Sequence, residues 1–144
     1  MKSFTDKEKR RWDIIIDVNT IKRVRQLLNV NLLDVMSGEL IISLSEDPVL
    51  FCDVLYSTCK PQADQLNVSD VEFGRSLGGG TILEEATIAF LGELVDFFPS
   101  AKRKLLTKAL EKMEGIREKV FSEGVKQMEK LDIESLSQET KPTL

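Results

Sequence analysis

The fold of this chain depends most on residues 81–99, which read TILEEATIAFLGELVDFFP. Thr81 and Glu84 have the spacing of a capping box, which satisfies the first free N–H groups of a helix. Apolar residues then occupy almost every side of the helix, and Pro99 ends it. The sequence therefore predicts a central helix that is covered on most of its sides. The side chains expected in its core are Phe90, Leu94, Phe97 and Phe98.

A second helix is predicted upstream, where Asp47-Pro48 combines an N-cap with a proline at the first helical position. We expect this helix to run to about Cys59 and to end at Lys60-Pro61. Cys52 and Cys59 then lie two turns apart, at about 10.5 Å, which is too far for a disulfide. Both cysteines are expected to be buried apolar residues rather than a redox pair.

Shorter helices fill the rest of a helical core that spans residues 18–98. Asn19 is a good N-cap for a first helix over residues 20–28. Ser69 and Glu72 form another capping box, and the helix that follows ends at the glycines of residues 78–80.

A β-hairpin is predicted for residues 1–17, before the helices. Its second strand runs from Arg11 to Asp17 and places Trp12, Ile14 and Ile16 on one face by the two-residue period of a strand. A lone hairpin is only marginally stable in water, so we expect this face to pack on the helices.

A long C-terminal helix is predicted for residues 99–131, and the polar residues 132–144 for a flexible tail. The expected fold class is therefore mainly α, with a small N-terminal β-hairpin packed on a helical bundle and a long C-terminal helix. Residues 1–131 are expected to form a single domain.

Composition argues against catalysis, because the 144 residues include no histidine. The glycines of residues 78–80 could cradle a phosphate, but they lack a preceding strand and a following lysine. Glu93 and Asp96 share one helix face, yet they do not complete a metal site. We instead predict that they form an ion pair with Lys102, Arg103 or the basic first helix. We expect no enzyme activity, no cofactor and no metal.

Charge is strongly segregated along the chain. Residues 1–31 carry a net charge of +4, residues 32–98 of −10, residues 99–131 of +4 and residues 132–144 of −2. This order argues against nucleic-acid binding, which favours one dominant basic face. It favours packing of the acidic middle against the basic ends, or a homo-oligomer in which copies meet head to tail.

The terminal helix carries more apolar side chains than one core should need. Phe and Met on an exposed helix suit an adaptable protein-binding surface, although the stripe could also fold back on its own core. The predicted partner-binding residues are Ile116, Val120, Phe121, Val125, Met128 and Leu131.

Several blocks of sequence, in this order, resemble the tail assembly chaperones of phages and prophages. The blocks are 47–50 (DPVL), 52–56 (CDVLY), 59–61 (CKP), 69–74 (SDVEFG) and 93–99 (ELVDFFP). The resemblance covers about residues 12–110. It implies a helical, non-enzymatic protein that coats the apolar tape measure protein until tail tube protein replaces it.

The partner expected from this resemblance is therefore a tape measure protein or a tail tube protein. The alternative is a structural virion protein, such as a tail completion or adaptor subunit, that remains in the particle. The chain has no apolar stretch of about 20 residues and no signal-peptide pattern at its start. We therefore expect no membrane association and a place in the host cell cytoplasm.

Overall fold

The computed structural model describes residues 2–139 and divides into two compact units, the first ending at Leu106 and the second beginning at Thr107. The described chain is mainly helical, with an N-terminal antiparallel hairpin and a long C-terminal helix, so the predicted fold class is confirmed. The elements are β1 (Lys2–Thr5), β2 (Arg11–Ile14), α1 (Val18–Leu28), a 3-10 helix (Leu32–Ser37), α2 (Glu39–Glu46), α3 (Pro48–Leu66), α4 (Asp70–Leu77), α5 (Thr81–Phe97) and α6 (Ser100–Glu139).

The residues predicted as a flexible tail fall into two parts. Residues 132–139 belong to α6, which continues through Glu139. Residues 140–144 lie outside the described residues, so the prediction of a flexible tail there stays a prediction.

The N-terminal hairpin places Phe4 of β1 opposite Trp12 of β2. Both side chains are buried against Phe73 of α4, whose ring meets theirs nearly at right angles at centroid distances of 6.5 Å and 5.0 Å. Because a two-stranded hairpin is only marginally stable on its own, its stability depends on this packing. The predicted hairpin is confirmed, although β2 ends at Ile14 rather than at Asp17.

Asp17 is instead the N-cap of α1. Its carboxylate accepts a hydrogen bond from the backbone N–H of Thr20 at 2.9 Å. The buried Thr20 hydroxyl donates to the carbonyl of Ile15 at 2.8 Å. The helix therefore begins at Val18, and the prediction that Asn19 caps it is wrong. Either residue type can cap a helix, but here it is Asp17 that accepts from both the backbone N–H and the hydroxyl of Thr20.

Helix α3 continues through Pro61 to Leu66, so the predicted end at Lys60-Pro61 is wrong. Proline usually interrupts a helix because it has no N–H for the carbonyl four residues earlier. Here that carbonyl belongs to Ser57, and it accepts a hydrogen bond from Nη1 of Arg23 on α1 at 3.0 Å. A side chain from another helix therefore replaces the bond that proline cannot make.

The aromatic core is built around α5. Phe90 and Leu94 are fully buried, and the Phe90 ring contacts Phe51 of α3 nearly at right angles at 5.8 Å. Phe98, just after the helix, is also buried, but Phe97 is only partly buried. The prediction of α5 as a core helix is correct, while the placement of Phe97 in the core is wrong.

Two glycines direct the turn from α4 into α5. Gly78 ends α4 and Gly80 precedes α5, with φ angles of 61° and 66° that L residues rarely adopt. The N-cap of α5 is Gly80, which has no side chain that could cap the helix, and Thr81 is already the first helical residue. The predicted capping box at Thr81 is therefore wrong. At the start of α4 the predicted cap is correct, because the Ser69 hydroxyl accepts from the Glu72 N–H at 3.1 Å.

Candidate functional site

The six predicted partner-binding residues all lie on α6 after Leu106, and all six are exposed. Their exposed fractions range from 37% at Val125 to 73% at Phe121. We call this set the apolar face, and it consists of Ile116, Val120, Phe121, Val125, Met128 and Leu131. Single exposed apolar residues are ordinary on a protein surface, but several on one stretch of helix indicate an interaction surface.

The apolar face is broad and has a notch at its centre. At 3.6 residues per turn, its six positions spread over roughly half of the helix circumference. Gly124 lies in the middle of this arc, one turn from Val120 and Met128. A Cβ added at Gly124 would meet no atom of the described chain within 4 Å beyond its own helical turns. No contact in this part of the chain therefore requires glycine there, although glycine costs the helix about 1 kcal/mol relative to alanine.

A row of lysines runs along the same helix beside one edge of the apolar face. These side chains are exposed and recur at intervals of seven and four residues, which places them on one side of the helix. We call this set the lysine row, and it consists of Lys112, Lys119, Lys126 and Lys130. Ile116 lies between Lys112 and Lys119, about one turn from each.

A second concave feature lies in the first unit, where α3, α4 and the start of α5 meet. It is an open cavity of about 300 Å³ whose walls are largely apolar. Val49 and Val71 line it and are 71% and 69% exposed, so two valines face solvent here. Asp53 and Asp70 also line the cavity. We call this feature the acidic groove.

The carboxylates at the acidic groove repel one another. Partial burial raises the pKa of Asp53 above its ordinary value, and the negative charges of Asp70 and Asp47 raise it further. The side chain of Lys7 lies against Gly78 at one end of the groove. A cation that approached Asp53 and Asp70 from solvent would therefore relieve an unfavourable interaction.

Neither cysteine has the surroundings of a reactive thiol. Burial raises the pKa of Cys52 to about 11, with further contributions from Asp53 and Asp70. Burial and the charge of Asp13 raise the pKa of Cys59 to about 12. Both are free cysteines, Cys59 fully buried and Cys52 partly so. Since the thiolate is the nucleophile, both side chains are expected to be inert near neutral pH.

The paired carboxylates of α5 contact the hairpin. The backbone N–H of Lys2 donates to Oε1 of Glu93 at 2.6 Å, and Lys2 Nζ lies 3.5 Å from Oδ2 of Asp96. Arg103, one of the expected partners, donates to the carbonyls of Asp96 and Phe98. Within residues 2–139, no three His, Cys, Asp or Glu side chains are grouped so that they could hold a metal ion.

Sequence reasoning missed the acidic groove because its residues carry ordinary helical signals. The apolar pattern of α3 predicts that Val49 faces inward, together with Cys52 and Cys59, but Val49 is exposed at the groove. In the sequence, Asp53 and Asp70 add to the negative charge of the middle segment and lie in the blocks 52–56 and 69–74, and neither signal predicts that they line one cavity. Asp70 belongs to α4 and Asp53 to α3, so only the packing of these two helices brings them together.

Comparison of the chain with protein-family models, curated proteins and solved structures finds no match. None of the described helices is long and apolar enough to cross a membrane. What the chain does must therefore be inferred from its own residues.

Proposed function

We propose that this chain is a non-enzymatic, tail assembly chaperone-like protein that binds an apolar helical partner during phage tail assembly. The partner would be a tape measure protein. The observation that supports this most strongly is the apolar face, whose six side chains are exposed on one helix. The resemblance of the sequence blocks within residues 47–99 supplies the biological setting.

The apolar face suits a helical partner in shape. From Ile116 to Leu131 it extends about 22 Å, or four helical turns. The notch at Gly124 offers a place where a partner side chain or backbone can approach the helix axis closely. Phe121 and Met128 border this notch, and flexible Met side chains adapt to partners of different sequence. A chaperone for a long apolar chain needs such tolerance.

The energetics favour a reversible complex. Burial of apolar area stabilises a complex by roughly 25 cal/mol per Å², and loss of rotational and translational freedom offsets much of this. One helix face therefore binds with modest affinity. That matches a chaperone, which must release the tape measure protein when tube subunits replace it.

A pull-down tests this function directly. The tagged chain is co-expressed with the tape measure protein of the same gene cluster and recovered through the tag. We expect the wild-type chain to retain the tape measure protein and Phe121→Asp to lose it, because a charge would be desolvated in the interface. Ser122→Asp is the matched control, since it adds the same charge on the opposite side of the helix. Loss of binding in both variants, or in neither, would contradict the assignment of the face.

The composition of purified particles separates a chaperone from a structural subunit. A tail assembly chaperone is expected to be absent from finished particles, because the tube displaces it. Detection of this chain in particles at a stoichiometric level would instead identify it as a tail completion or adaptor subunit.

A further inference from the structure

The acidic groove has two properties that together define what can occupy it. Its apolar walls include exposed Val49 and Val71, and its carboxylates are Asp53 and Asp70. An occupant that presents an apolar side chain together with nearby cations would match both properties. A cavity of about 150 Å³ is enough for a benzene ring, so one branched apolar side chain fits easily into about 300 Å³.

This chain itself carries such an element on α6. Ile116 is 57% exposed, and the exposed Lys112 and Lys119 lie four residues before it and three after it. These spacings place all three side chains on one side of the helix. The two lysines are seven residues apart, or about 10.5 Å along the helix axis. An apolar knob is thus flanked by two cations.

We propose that the acidic groove binds the Ile116 side of α6 from a second copy of this chain, with Lys112 and Lys119 facing Asp53 and Asp70. Charge complementarity is the argument for this occupant. The segment that forms the groove belongs to residues 32–98, with a net charge of −10, and the helix belongs to residues 99–131, with a net charge of +4. Opposite potentials of this kind steer association and fix its register.

The contact is head to tail, because groove and helix are different surfaces. Each copy that offers its helix still has a free groove, so copies add in series and form a ring or a filament. Such a row of copies would present its remaining apolar residues side by side. Phe121, Val125 and Met128 lie on the far side of the apolar face from the lysine row and stay available.

This inference does not rest on the proposed function, although Ile116 belongs to the apolar face that the function also uses. The two can fail separately. Phe121→Asp is expected to lose the tape measure protein and to keep self-association. Asp70→Lys is expected to keep binding of the tape measure protein and to lose self-association.

Sedimentation of the full chain over a range of concentrations tests the contact. We expect the wild type to form concentration-dependent oligomers that weaken as salt is added. Asp70→Lys in the groove and Lys119→Asp on the helix should each weaken self-association at least tenfold. Lys126→Asp is the matched control, because it makes the same charge change two turns away and should leave self-association within about twofold of the wild type.

Two further samples decide the arrangement. A mixture of Asp70→Lys and Lys119→Asp offers one wild-type contact and one charge-reversed contact between unlike copies, so it should form oligomers that neither variant forms alone. A chain that carries both substitutions should recover the oligomers of the wild type. If Asp70→Lys fails to fold by circular dichroism, Val71→Asp takes its place in the groove, and Val71 tolerates this because it is exposed.

Three results would overturn the proposal. The first is a wild-type chain that stays monomeric at all concentrations, as it would if its own helix filled the groove. The second is a mixture that remains as weakly associated as its components, which would indicate symmetric pairing of two helices. The third is unchanged self-association in both charge variants.

Discussion

The indole N–H of Trp12 donates a hydrogen bond of 2.9 Å to the Oδ2 atom of Asp6, and both side chains are buried. The same carboxylate accepts from Nε of Arg10 at 2.8 Å. The Arg10 guanidinium also donates to Glu72 and Ser76 of α4. One buried carboxylate therefore organises the loop of the hairpin and ties it to the helical core.

This relationship predicts how stability depends on pH. Burial by itself raises the pKa of Asp6, but the hydrogen bonds from Trp12 and Arg10 and the charge of Arg10 outweigh it, so the pKa lies below its ordinary value. A lowered pKa gives stability that is present above the unfolded-state pKa and is lost as pH falls through the folded-state pKa. We expect the free energy of unfolding to fall as pH decreases from about 5 to below 4.

Asp6→Asn tests this dependence. At pH 7 we expect it to cost about 1–3 kcal/mol, because buried donors lose part of their acceptor, and to flatten the decrease between about pH 5 and pH 3. Urea unfolding at several pH values measures both effects. Asp64→Asn, which affects only an exposed pair with Lys60, is the control. If the free energy of unfolding of Asp6→Asn fell with decreasing pH as steeply as that of the wild type, other carboxylates would be the cause of the decrease.

The contact between Arg23 and the Ser57 carbonyl predicts a coupling with Pro61. Arg23→Met should destabilise the chain by about 1–3 kcal/mol, since the carbonyl would lose its donor. In a Pro61→Ala background the alanine N–H can donate to the Ser57 carbonyl, so Arg23→Met should lower the free energy of unfolding by less. A double-mutant cycle measured by chemical unfolding gives the coupling. Equal costs in the two backgrounds would mean that Arg23 acts through some other contact.

The buried and exposed faces of α5 predict very different losses of stability on truncation. Phe90→Ala should cost about 3–5 kcal/mol, because the ring is fully buried against Phe51. Ile88→Ala on the same helix should cost less than about 0.5 kcal/mol, because Ile88 is 63% exposed. Denaturant unfolding compares the two. A small loss for Phe90→Ala would show that α5 is not central to the core.

The glycines of α6 give a test in which stability and binding change in opposite directions. Gly124→Ala and Gly115→Ala should each stabilise the helix by up to about 1 kcal/mol. Only Gly124→Ala should weaken binding of the tape measure protein, because it fills the notch in the apolar face. Gly115 lies on the opposite side and serves as the control. Thermal unfolding and the pull-down, done on both variants, measure the two effects. Equal binding by the two variants would show that the notch is not part of the interface.

Local signals in the sequence determined much of the fold. The Asp47-Pro48 start of α3 and the Ser69 cap of α4 were predicted correctly, because each depends on hydrogen bonds between residues two or three apart. The hairpin and the core helix α5 follow from apolar periodicity. The sequence also showed that the terminal helix carries more apolar residues than one core should need, but it left open whether these residues fold back on the core.

Only the tertiary structure decided the features that depend on distant partners. Proline signals the end of a helix, yet α3 passes through Pro61 because Arg23, from a different helix, supplies the missing donor. The acidic groove exists because α3 and α4 pack so that Asp53 and Asp70 line one cavity. Hydrogen bonds and charges act over a few ångströms in space, and nothing in the local order of residues records which distant groups will be that close.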